Sequence, residues 1–291
     1  RTTWQPLSNA TKRGDSVESS RFFVFGEVVE RMKIIKMFAL MTMLTILFVC
    51  QVSAFKQEDL NKLKTYKSCQ DCDLTGADLS GAYLAGANLL RANLTGANLV
   101  GADLIRADLN MANLKKANLI EAKLWGSNLY DANLIGATMT GAGLSGAVLY
   151  RAKLNGANLS EANLERVDLN FANLSQANLS GTNLRKAGLQ GVDLTGADLT
   201  GANLTGATLH NAKLNGADLR RADLRRADLS RADLTGANLT GANLTGAEQT
   251  GMNLSNVNLA GAIGILSEEE KKQRVAEEKR FTEEKKLAEK K

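Results

Sequence analysis

Residues 77–96 read ADLSGAYLAGANLLRANLTG, four runs of five in which Leu79, Leu84, Leu89 and Leu94 keep one place. The phase holds far beyond this stretch. Taking every fifth residue from Leu74 to Leu259 gives 38 positions, of which 36 are Leu and the exceptions are Met139 and Gln249. Two places earlier stands Ala, with substitutions at Cys72, Ser127, Val167, Thr182, Val192, Met252 and Val257. The place between them is Asn or Asp in 28 of the 38 repeats.

A period of five suits neither regular element. On an α-helix successive leucines would each turn about 140° past a full turn, so they would spread around every side. In a continuous strand, residues an odd number apart alternate faces. The chain must therefore bend once per repeat, pointing each Leu and its Ala inward from successive sides of a coil. Fixed-period self-similarity is the mark of a solenoid. The Asn/Asp place, the Ser/Thr place and the Gly/Arg place then face outward, and the frequent Gly at the end of each repeat suits a corner.

The runs Ala77-Asp78-Leu79-Ser80-Gly81 and Ala242-Asn243-Leu244-Thr245-Gly246 resemble the pentapeptide-repeat family, whose pattern is A-(D/N)-L-x-x. The resemblance covers about two-thirds of the chain, residues 69–263. It implies an all-β fold, a right-handed quadrilateral parallel β-helix with four repeats per coil. Nine or ten coils would stack to about 45 Å at the spacing of neighbouring strands. The resemblance also admits a homodimer joined through one end.

The chain is 44% hydrophobic but only 5% aromatic, so a Leu/Ala core must be narrow. Its formal charge of +5 belongs to the flanks. Residues 69–263 hold 10 Arg and 6 Lys against 13 Asp and 4 Glu, one net negative charge. That balance argues neither for a nucleic-acid-binding body nor for an acidic one, and no nucleic-acid partner is expected.

Residues 32–54 have the layout of a signal peptide: Lys33 and Lys36, an apolar run from Met37 to Cys50, then Val52-Ser53-Ala54. Cleavage would leave Phe55 first and place the protein outside the cytoplasm, periplasmic or secreted. The alternatives are a membrane anchor formed by residues 37–50 and a lipoprotein signal ending at Cys50. Residues 1–31 lack periodicity and read as an upstream extension.

Cys69 and Cys72 fall in phase with the inward places, five residues before Leu74 and Ala77. Their spacing admits a redox pair or half a metal site. It equally admits an end cap that becomes a disulfide in an oxidising compartment, and exported members of the resembled family look similar here. Residues 55–68 form an N-terminal cap in which Leu60 and Leu63 would lie over the open end. Residues 264–291 read as a charged helix opened by a capping box at Ser267 and Glu270, covering the last coil near Ile263, Ile265 and Leu266.

No catalytic, cofactor or metal site is legible. His210 is a lone outward residue, and Asp218, Asp223, Asp228 and Asp233 lie on successive sides, so they make no acid/base pair. Two surface features stand out. Arg220, Arg221, Arg225, Arg226 and Arg231 form a basic girdle among those aspartates, either paired with them or open to an anionic membrane or polysaccharide. Trp125, Tyr130 and Tyr150 face outward, the two tyrosines 20 residues apart and hence stacked in adjacent coils. The reading is a non-enzymatic, exported structural or protein-interaction scaffold. The resemblance supplies an alternative, a DNA mimic that binds and protects gyrase.

Overall fold

The computed structural model describes residues 35–37, 41, 56–267, 269, 270, 273, 276 and 280. The chain divides into two units, Arg1–Ala54 and Phe55–Lys291. In the first, Ile35, Met37 and Met41 are exposed and helical. The signal-peptide and upstream readings otherwise lie outside the described residues. No helix among the described residues is long and apolar enough to cross a membrane.

In the second unit every inward place from Leu74 to Ala247 except the half-buried Ala82 is closed to solvent. Parallel bridges join each Asn/Asp place to the residue 20 positions on, from Ser68 with Asn88 to Asn243 with Ile263, so four repeats make one turn. Leucines entering from four sides fill the interior, each contributing about 1.5–3 kcal/mol by burial before chain entropy is subtracted.

One repeat shows why the other three places are chosen as they are. Asn238 N–H bonds to Ala217 O in the preceding coil (2.9 Å), and Leu239 N–H to Asn258 O in the next (2.8 Å). Gly241 N–H also reaches the next coil, at Ala260 O, and Ala242 N–H closes the corner on Leu239 O. That leaves Thr240 N–H, which bonds to Asn238 Oδ1 at 3.1 Å. The Asn/Asp side chain satisfies the one backbone donor that stacking cannot reach, and a buried or half-buried donor left open is costly.

The last place of each repeat is left-handed throughout the array, in glycines such as Gly101 (φ 62°) and equally in Arg106 (φ 54°) and Phe171 (φ 59°). Glycine suits this backbone; the other residues hold it under strain.

The exceptions to the Leu/Ala rule are built in rather than tolerated. Buried Ser127 and Thr182 donate their hydroxyls to Leu124 O and Leu179 O, both at 2.7 Å. Buried Gln249 donates from Nε2 to Gly264 O (2.6 Å) and accepts from Leu266 N–H (3.1 Å), clamping the segment that closes the array.

Helix α1, Gln57–Tyr66, buries Leu60 and Leu63 in the core. Its Asp59 carboxylate accepts from Asp73 N–H at 2.8 Å, tying it to the start of the array. At the other end Ser267 and Glu270 exchange bonds, Ser267 N–H to Glu270 Oε2 (2.7 Å) and Glu270 N–H to Ser267 Oγ (3.2 Å). Glu269, Glu270, Gln273, Ala276 and Arg280 are helical. Ile265 packs on the core, while Ile263, the bridge partner of Asn243 at an outward place, stays 55% exposed.

Candidate functional surface

With most backbone donors taken by stacking or by the Asn/Asp side chains and the interior filled by Leu and Ala, the array can act only through its outward places. The 20-residue register decides which of these meet.

Tyr130 and Tyr150 occupy the place after Leu in adjacent coils. Their rings stack with centroids 5.6 Å apart and planes 6° apart. Phe171, in the left-handed place one coil further, meets Tyr150 edge-on at 5.5 Å. Phe171 is 50% exposed, and Met111 and Val148 are exposed on the same side of the array. Such aromatic pairs gain about 0.5–1.5 kcal/mol beyond their burial. Trp125 is not part of this cluster. It stands on the preceding corner, with its indole laid over Gly143, where any Cβ would collide with the ring nitrogen.

The five arginines divide by their place in the repeat. Arg220 and Arg225, directly after Leu, turn back to the carboxylates of their own repeats: Arg220 to Asp218 at 2.7 Å and Arg225 to Asp223 at 2.6 Å. The guanidinium beside each holds Asp218 and Asp223 below the ordinary aspartate range. Both pairs are exposed, so each contributes less than about 1 kcal/mol. Arg221, Arg226 and Arg231 take the left-handed place, and among the described residues none of the three forms an ion pair. Their stems cross Gly241, Gly246 and Gly251 of the next coil, leaving the charged ends to solvent.

Cys69 and Cys72 are buried and joined in a disulfide at the start of the array. His210 Nδ1 lies 2.7 Å from Ser230 Oγ, one coil on. Among the described residues no group of three or more His, Cys, Asp or Glu side chains is arranged to hold a metal ion.

The pattern described as pentapeptide repeats matches residues 72–110 and, in overlapping copies, 112–263. The chain belongs to the pentapeptide-repeat family. The family's known fold is a right-handed quadrilateral β-helix, which accords with four repeats per turn. Pentapeptide-repeat proteins are in general non-enzymatic scaffolds. Among solved structures, HetL from the cyanobacterium Nostoc, involved in heterocyst differentiation regulation, is 35% identical. The match covers 74% of this chain and all of HetL, with a TM-score of 0.46. Rfr23 from the cyanobacterium Cyanothece is 31% identical over 38% of this chain and 90% of its own, with a TM-score of 0.38. QnrB1, a plasmid-mediated fluoroquinolone resistance protein, is 19% identical over 65% of this chain and 94% of its own, with a TM-score of 0.33. No curated protein sequence matches the chain.

Spacing alone does not single out Phe171, because it follows Tyr150 by 21 rather than 20. The signal for it is a bulky residue where the repeat puts glycine.

Proposed function

We infer that this pentapeptide-repeat protein is an exported, non-enzymatic scaffold of nine to ten coils that holds a protein partner on its aromatic corner. The observation that carries the reading is the contiguous cluster of Tyr130, Tyr150 and Phe171, which leaves half of Phe171 in water although the interior is completely filled. Exposed aromatics grouped on a rigid frame anchor partners at little entropic cost. Export rests on the layout of residues 32–54, and the Cys69–Cys72 disulfide suits an oxidising compartment. A DNA mimic needs an acidic rod, whereas the array carries one net negative charge and an arginine girdle.

The test is crosslinking in the compartment where the protein resides, comparing the wild type with a Tyr130→Ser, Tyr150→Ser, Phe171→Ser variant. The variant is expected to melt like the wild type and to lose the crosslinked partner. Retention of the same partner by the variant would remove the aromatic corner from the proposal. Export is tested separately by the N-terminal residue of the recovered protein, expected to be Phe55.

A further inference from the structure

The corner that carries Trp125 departs from the repeat's own rules in two ways, and both departures serve one surface. Reading its left-handed place coil by coil from residue 86 to residue 246 gives Gly, Arg106, Gly, Gly, Arg166, Lys186, Gly, Arg226, Gly. Every non-glycine in this place between residues 86 and 246 is a cation. All four hold positive φ, between 54° and 56°, a conformation glycine would adopt without strain. Other corners mix residue types in the same position, Arg151 and Arg231 with Met111, Asp131 and Phe171 on one, Arg221 with Glu121 on another. Strain accepted repeatedly for one type of charge on one edge points to a use for that charge.

The four cations are exposed. The stems of Arg106, Lys186 and Arg226 lie across Gly126, Gly206 and Gly246 of the next coil. No ion pair is formed by any of the four among the described residues. Arg185 and Arg225 stand beside them on the same corner, paired with Glu165 and Asp223.

The second departure is Gly143. It occupies a place that is usually Asn or Asp and so supplies no oxygen for Ser145 N–H. At Gly188, the other glycine in that place, Asn170 of the preceding coil substitutes, accepting from Gln190 N–H at 2.7 Å. At Gly143 the space is taken by Trp125 instead, and among the described residues no replacement bond serves Ser145. The exchange lays a 48%-exposed indole along the edge, between Arg106 and Arg166.

We propose that this edge binds an extended acidic polysaccharide, with the cations meeting its carboxylates and Trp125 packing against the flat C–H face of a sugar ring. The site is separate from the aromatic corner and does not depend on it. Charge spacing selects this class of polyanion. At about 4.8 Å per coil, Arg106, Arg166, Lys186 and Arg226 are about 14, 5 and 10 Å apart along the axis. Along a duplex, each nucleic-acid strand carries a phosphate about every 3.4 Å. Most of its phosphates would find no cation and would run beside Asp108, Asp168 and Asp228, which line the adjoining side. A polysaccharide with a carboxylate on alternate sugars has the sparser charge that the edge matches.

The test uses the full chain with hyaluronan, uncharged dextran, a thymidine oligonucleotide of matched length and phosphatidylglycerol vesicles. Hyaluronan is expected to bind with an affinity that falls as salt is added, and dextran is expected not to bind. The variant Arg106→Gly, Arg166→Gly, Lys186→Gly, Arg226→Gly is expected to lose about ten-fold or more in hyaluronan affinity while melting no lower than the wild type, since glycine relieves the strain. Gly143→Asn, which restores the missing oxygen and displaces Trp125, is expected to weaken binding in the same direction without loss of stability. The Tyr130, Tyr150 and Phe171 serine variant is expected to bind hyaluronan like the wild type. The proposal is overturned if hyaluronan fails to bind, if the four-glycine variant keeps wild-type affinity or melts lower, or if the oligonucleotide or the vesicles bind more tightly than hyaluronan at equal ionic strength.

Discussion

Each side chain of the repeat array does one of three jobs: it fills the interior, closes a backbone donor, or stands in water. Leu159 belongs to the first group and is wholly buried. Leu159→Asp would place a charge where neither water nor a partner can reach it, at a cost of about 3–5 kcal/mol or more. The expected result is loss of strand circular dichroism in the middle coils. Asn113 belongs to the second group: it accepts from Lys115 N–H (3.3 Å) and Asn133 Nδ2 (3.1 Å) and donates to Thr95 Oγ1 (2.8 Å). Asn113→Ala should cost about 1–2 kcal/mol, read as a lowered denaturation midpoint. The aspartates of this group make the fold sensitive to acid. Arg220 lowers Asp218, Arg225 lowers Asp223, and Thr235 with Asn215 lowers Asp233. A carboxyl that holds its proton less tightly when folded stabilises the fold above its unfolded pKa of about 3.9 and loses that contribution as pH falls through the lower folded value. Melting temperature should therefore drop as the solution is acidified below the ordinary aspartate range. In Asp218→Asn, Asp223→Asn the drop should be shallower.

At the scale of the element, the two ends are secured differently. The first coil has helix α1 on it and the Cys69–Cys72 disulfide within it. The two cysteines are only three residues apart, so the closed loop is short and the link adds about 2 kcal/mol on the chain-entropy account. Reductant should accelerate hydrogen exchange in the first coil and leave the central coils unchanged. At the far end Gln249 does the securing through its two bonds to Gly264 and Leu266. Gln249→Leu would restore the repeat's consensus and fill the core, yet it should loosen residues 264–266, seen as faster exchange at Leu266 N–H.

Across the array, each coil touches only its neighbours, so unfolding starts from an end and moves inward. Leu254, Val257 and Leu259 are only partly buried, whereas the inward leucines of the first coils are closed off. Exchange protection should accordingly be lost first from residues 250–263 as denaturant is raised, with the middle coils last. An opposite order, opening first at Cys69, would show that α1 and the disulfide contribute less than the Gln249 clamp. The same stacking makes the surface a set of straight ladders, which is why a cation at one corner in one coil lines up with its counterparts several coils away.

The sequence alone determined the interior. A step of five with Leu and Ala two apart has only one arrangement that buries them all, and it therefore also placed Tyr130 above Tyr150, Cys69 and Cys72 inside, and the Asn/Asp place outside. That reasoning works because the period is a property of the chain and every repeat obeys it. The tertiary structure decided what happens where single residues leave the period. Phe171 reaching back to Tyr150, Trp125 lying on Gly143 instead of joining the tyrosines, and Gln249 acting as a clamp all depend on rotamers and contacts between coils. The arginine girdle likewise divides into paired and unpaired members because the place after Leu lets a guanidinium fold back on its own aspartate, while the left-handed place carries it over the next coil. No count along the chain contains that difference, since it arises only when coils 20 residues apart are brought into contact.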